Sequence, residues 1–209
     1  RASSGLAEGF GCDDFMVTID PPDSDLAMKE DQEAGTLMHE LGHALGLRHG
    51  GADDVNFKPN YFSTMNYMWQ MPSTSYNDEG PDGSFRAHFP DYSDRALPDL
   101  DEDALVESAG IGGQFADVSV PFSITLGSTN CDLNDICDGS STLCNRYADH
   151  FGPVEWNNNC SIDTTPVVAN VNSIKPSQPT PAHEHFTGHN DWAALIYDFK
   201  GSLLSMPGA

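Results

Sequence analysis

The chain has 209 residues, enough for one domain with a real core. Lys and Arg total 9 against 32 Asp and Glu, a formal net charge of −23. So acidic a surface repels phosphate backbones and argues against a nucleic-acid partner. No apolar run approaches the roughly 18 residues of a membrane-spanning helix, so no membrane partner is expected.

The first residues read as two short strands. Gly5-Leu6-Ala7-Glu8 can form an edge beside Phe15-Met16-Val17-Thr18-Ile19, whose β-branched run suits a buried strand and ends at Pro21-Pro22. The spacing of Leu37, Leu41, Ala44 and Leu45 predicts a helix from about Asp31, which can cap it, with Gly46 as its stop. Residues 50–98 lack periodicity and are rich in Gly, Pro, Asn and Ser, which marks a long irregular stretch of functional character. A second short helix is predicted from Asp99 to Glu107, with Asp99 and Glu102 spaced as a capping box. A cysteine-rich loop follows. The last predicted helix runs from Asp191 to Phe199, capped by Asn190, with Trp192, Leu195, Ile196 and Phe199 on one stripe. The elements sum to an α+β fold.

The segment His39-Glu40-Leu41-Gly42-His43-Ala44-Leu45-Gly46-Leu47-Arg48-His49 carries the chemistry. His39 and His43 stand four apart on a helix, so both imidazoles leave the same face one turn apart. That spacing suits two ligands of one tetrahedral zinc ion. Gly46 lets the chain turn sharply and return His49 as a third ligand. Three neutral nitrogens leave a fourth position open, as in catalytic rather than structural zinc sites. Glu40 stands beside the ligands without being one, as a general base would.

This pattern, H-E-x-x-H-x-x-G-x-x-H, resembles that of the metzincin clan of zinc endopeptidases. The resemblance extends to Ser63-Thr64-Met65-Asn66-Tyr67, where Met65 matches the Met-turn methionine that underlies the metal. It implies a metzincin-like catalytic domain over residues 1–209. Residues 1–49 would give a partial upper sheet and the zinc-bearing helix. Residues 50–209 would give an irregular, disulfide-stapled lower subdomain ending in a helix. It also resembles uncharacterised secreted bacterial members of the clan, with no branch assigned: Gly50 and Gly51 match no branch marker. Tyr67 has two readings, a zinc ligand at rest that later stabilises the transition state, or an aromatic wall of the substrate pocket.

The implied activity is that of a secreted, extracellular endopeptidase acting on protein or peptide. A zinc-bound water would attack the peptide bond with Glu40 as general base, and the substrate would lie antiparallel to an edge strand. Tyr67, Met68, Trp69, Met71 and Tyr76 would wall the main side-chain pocket. The alternative is a catalytically silent or calcium-stiffened extracellular binding domain. Two strands before the helix are few for this clan, so an N-terminal fragment from upstream of Arg1 is an expected partner, with Cys12 as its tether.

Cys131, Cys137, Cys144 and Cys160 are spaced C-x5-C, C-x6-C and C-x15-C, unlike a zinc knuckle. They predict two disulfides of open connectivity, and with them an oxidising compartment. Asn157, Asn159, Ser161 and Asp163 alternate as in the first half of a calcium loop. Asp132, Asn134, Asp135 and Asp138 offer a second possible calcium cluster. His183, His185 and His189 read as surface histidines.

Overall fold

The computed structural model describes residues 4–19, 26–70, 91–112, 119–122, 146–149, 153–157, 159, 161–172 and 183–196. Their order is β1 (Gly5–Ala7), β2 (Phe15–Val17), α1 (Leu26–Ala44), α2 (Tyr67–Gln70), β3 (Leu100–Asp101), β4 (Ser119–Phe122), β5 (Arg146–Asp149), β6 (His185–Phe186) and α3 (Asp191–Ala194). Three antiparallel pairs, β1 with β2, β3 with β6 and β4 with β5, make three two-stranded sheets. The described residues thus mix helix and short sheet. Among them, no helix is long and apolar enough to cross a membrane.

Both N-terminal strands form, in the register Gly5 to Val17, Leu6 to Met16 and Ala7 to Phe15. They lie against α1. The expectation of a buried second strand is corrected: Met16 is exposed, as is its cross-strand partner Leu6. Helix α1 begins at Leu26 rather than Asp31. Ala27-Met28-Lys29-Glu30 are all good helix formers, so nothing local stops it there. The expected apolar stripe holds in part. Ala44 and Leu45 are buried and Leu41 packs against the core. But Leu37 is exposed, and Gln32, Gly35, Thr36, His39 and His43 are buried as well.

The helix ends in a Schellman motif. Leu47 N–H donates to Gly42 O at 2.8 Å and Gly46 N–H to His43 O at 2.9 Å. Gly46 takes φ 92°, a left-handed value that only glycine adopts cheaply.

No helix spans Asp99–Glu107. Leu100 and Asp101 pair with Phe186 and His185, Leu105 bridges Val167, and only Glu107–Ala109 forms a 3₁₀ turn. Glu102 does not cap its own segment. Its carboxylate accepts backbone N–H groups of Val171, Asn172 and Glu184. Asn190 does cap α3, accepting Ala193 N–H at 3.0 Å. The helix is one turn rather than the expected nine residues. After Ala194 the chain extends, and Ile196 N–H donates to Leu45 O at 2.9 Å. Trp192 and Ile196 are exposed, and Phe199 lies outside the described residues.

Two buried clusters result. The smaller joins Leu45, Leu47, Tyr61, Met65 and Tyr92 beneath α1. The larger joins Met68, Trp69, Leu97, Leu100, Leu105, Ile111, Val154, Trp156, Val167, Val171 and Phe186.

Candidate functional site

Helical spacing and the Schellman turn together converge three imidazoles. His39 and His43 are one turn apart on α1, and the turn at Gly46 returns the chain to His49. Ring centroids are 4.7 Å apart for His39 and His43, 4.8 Å for His43 and His49, and 5.2 Å for His39 and His49. One ligand atom from each lies within 4.8 Å of the others. His39 Nδ1 is 2.8 Å from Thr64 O, and His43 Nδ1 is 2.9 Å from Leu47 O. A neutral imidazole facing a carbonyl donates from that nitrogen, so both rings keep an Nε2 lone pair for a metal.

Burial keeps all three rings neutral. It pushes His39 down to about 3, reinforced by repulsion from His43 and His49 and opposed by the bond to Thr64. Burial also brings His49 down to about 4 and lowers His43. Three neutral, convergent imidazoles, two of them oriented by backbone carbonyls, are a donor set that fits zinc.

Glu40 is 5% exposed. Burial raises its pKa, against a bond from the Ala7 backbone N–H. Gly5, also in β1, faces the same carboxyl group. A Cβ there would sit 2.5 Å from Glu40 Oε1. Tyr67 opens α2 and places its ring 5.2 Å from His39 and 4.6 Å from His49. Burial, then the Glu40 charge, raises its pKa, so it remains a phenol able to donate. The turn at Met65 closes the floor. Met65 is fully buried, and a Cβ at Gly42 would collide with its Sδ.

The expected pocket wall divides. Tyr67 faces the histidines, but Met68 and Trp69 are 1% and 4% exposed and belong to the larger core. Their assignment as pocket wall is corrected, because the one-turn helix α2 points them inward. Met71 and Tyr76 lie outside the described residues, as do Asp132, Asn134, Asp135, Asp138 and the four clustered cysteines. Cys12 is a buried free thiol that donates to Asp14 O at 3.3 Å. Asn157, Asn159, Ser161 and Asp163 do come together. The Asn157 and Asn159 amides donate to Asp163 Oδ2, while their own oxygens accept backbone N–H groups of Asn159 and Ser161. His183 and His185 face Asp103 and Asp99 on the surface.

Several residues around the site escape sequence reasoning. Asn66 donates to Lys58 O and Tyr61 O and accepts Phe57 N–H and Met68 N–H, which ties residues 57–61 to the Met65 turn. Lys58 is buried and its ammonium reaches Asp53, Gly50 O and Thr187 O, which holds the loop just after His49. Asp91 O accepts both Thr64 N–H and Thr64 Oγ1. The only local signal for any of these is the run of polar residues around Met65.

No protein-family model, characterised protein or solved structure matches this chain.

Proposed function

We propose that the chain is a zinc-dependent endopeptidase of metzincin type, acting on proteins or peptides outside the cell. The observation that carries this reading is the convergence of His39, His43 and His49 with Glu40 adjacent and Tyr67 against the rings. His39, His43 and His49 would hold the ion. A zinc ion held there would lower the pKa of water to about 7 and polarise a carbonyl.

The chain's own residues supply the remainder. Glu40 takes the proton of the attacking water and returns it to the leaving amine, work for which a carboxyl raised by burial is suited. Ala7 N–H orients the Glu40 carboxylate. The Tyr67 phenol donates to the developing oxyanion. An extended peptide runs beside β1, the strand against which Glu40 rests. Met65 and Gly42 form a rigid floor that keeps the histidines from shifting.

The test is casein cleavage by the purified chain with chelator and after zinc is restored. Chelation abolishes cleavage and stoichiometric zinc restores it. Zinc bound tightly with no cleavage of any denatured protein substrate would support the silent binding domain instead.

A further inference from the structure

We infer that Asp191, in the C-terminal α3, is a positioning residue for His39, acting through the turn at Met65. The inference rests on the zinc reading above. Asp191 is fully buried, and a carboxylate without solvent needs donors. It has Tyr61 Oη at 2.8 and 2.9 Å, Ser63 Oγ at 2.5 Å and Ser93 N–H at 3.2 Å.

Ser63 is the branch point. Its hydroxyl donates to Asp191 Oδ2 and accepts Met65 N–H at 3.1 Å. A carboxylate cannot donate, so it fixes the direction of the Ser63 hydroxyl and leaves the lone pair facing Met65. Between Ser63 and Met65 lies Thr64, whose carbonyl takes His39 Nδ1 at 2.8 Å. The route from Asp191 to His39 is therefore three hydrogen bonds and one peptide. Outer-shell partners that orient a ligating histidine are typically worth roughly 10–100-fold in metal affinity.

Tyr61 provides the discriminating control. It donates to the same carboxylate and lies beside Ser63, but among the described residues its hydroxyl bonds neither Thr64 nor Met65. The variants are Ser63→Ala, Asp191→Asn and Tyr61→Phe. Each is titrated with zinc alone against a chromophoric chelator, with the thermal midpoint measured beside it.

Ser63→Ala is expected to weaken zinc binding about tenfold or more and Asp191→Asn several-fold. Tyr61→Phe stays within about twofold of the parent chain while losing comparable thermal stability. Equal weakening in Ser63→Ala and Tyr61→Phe would mean generic softening and would overturn the inference, as would parental affinity in Ser63→Ala. If Ser63→Ala does not fold, Asp191→Asn against Tyr61→Phe decides by the same comparison. A parent chain that binds no zinc overturns the functional reading together with this inference. A zinc-binding parent with a flat variant series overturns this inference alone.

Discussion

Around the three histidines, the long helix α1 sets the spacing, a Schellman turn sets the return, and side chains fix the rest. Around Leu105, Val167 and Val171, almost no regular structure exists, and two buried carboxylates organise the backbone. Glu102 accepts Val171 N–H, Asn172 N–H and Glu184 N–H, and Glu107 accepts Trp156 N–H and Asp163 N–H. Both are fully buried. Each serves its irregular segments as a shared acceptor in place of a sheet ladder. The first region uses buried polar groups to aim side chains at one point. The second uses them to satisfy backbone donors over an apolar core. Chemistry at the first and stability at the second should therefore separate under mutation.

The largest separation is expected at Glu40. Glu40→Gln removes the proposed base while keeping the side chain's size. Turnover falls by roughly 10²–10⁴-fold or more, with zinc affinity and unfolding midpoint close to parental. Near-normal turnover in a zinc-replete sample would remove Glu40 from the mechanism.

The converse is expected at Glu102. Glu102→Ala strands three backbone N–H groups in the interior, at about 1–3 kcal/mol each. A loss of about 3 kcal/mol or more in urea unfolding follows, while zinc affinity of the folded fraction is unchanged. Zinc binding lost at denaturant concentrations where the chain is still folded would show the two regions to be one.

The same contrast explains what the sequence discloses. His39, Glu40, His43, Gly46 and His49 are legible because helical period and one glycine determine their geometry locally. Met65 is legible through its pairing with that motif. Asp191, Lys58, Asn66 and Glu102 are not, because their partners lie far along the chain. Asp191 meets Ser63 across 128 positions and Glu102 meets Glu184 across 82. The expected helix at Asp99–Glu107 fails for this reason. Its capping-box carboxylate is drawn to distant backbone, and Leu100 pairs with Phe186. The C-terminal helix is cut short likewise, when Ile196 N–H meets Leu45 O.

Acid should act on the two regions with opposite sign. In the metal-free chain, His39 is depressed from 6.5 to about 3 and His49 to about 4. A depressed folded-state pKa gives stability that is present above 6.5 and lost as pH falls toward 4 and 3. By about pH 5 the unfolded imidazole has bound its proton and the folded His39 has not, which costs roughly 2 kcal/mol. Burial raises Glu102, the opposite case: its contribution is present below the ordinary carboxyl pKa and lost as pH rises through the raised one. Amide exchange in metal-free protein from pH 7 to pH 5, corrected for the intrinsic rate, should show Leu47 and Met65 losing protection before Val171. Simultaneous loss would contradict the separation.

The smallest effect expected is also the most local. Gly5 lies in β1 with no side chain, and a Cβ there would overlap Glu40 Oε1, Cγ and Cδ at 2.5 to 2.8 Å. The contacted atoms belong to a side chain that can rotate, so Gly5→Ala yields by moving Glu40 rather than by unfolding β1. Replacing glycine in a strand also favours the extended backbone, which offsets part of the strain. The histidines are untouched, so zinc affinity holds. Displacing a general base by a fraction of an ångström weakens proton transfer without abolishing it. Gly5→Ala should lower kcat roughly tenfold, about 1.4 kcal/mol at the transition state, with KM and unfolding midpoint little changed. If kcat is parental, the room at Gly5 serves only strand packing. If zinc affinity falls instead, the strand supports the ligands, and the division between aiming the base and holding the metal is drawn in the wrong place.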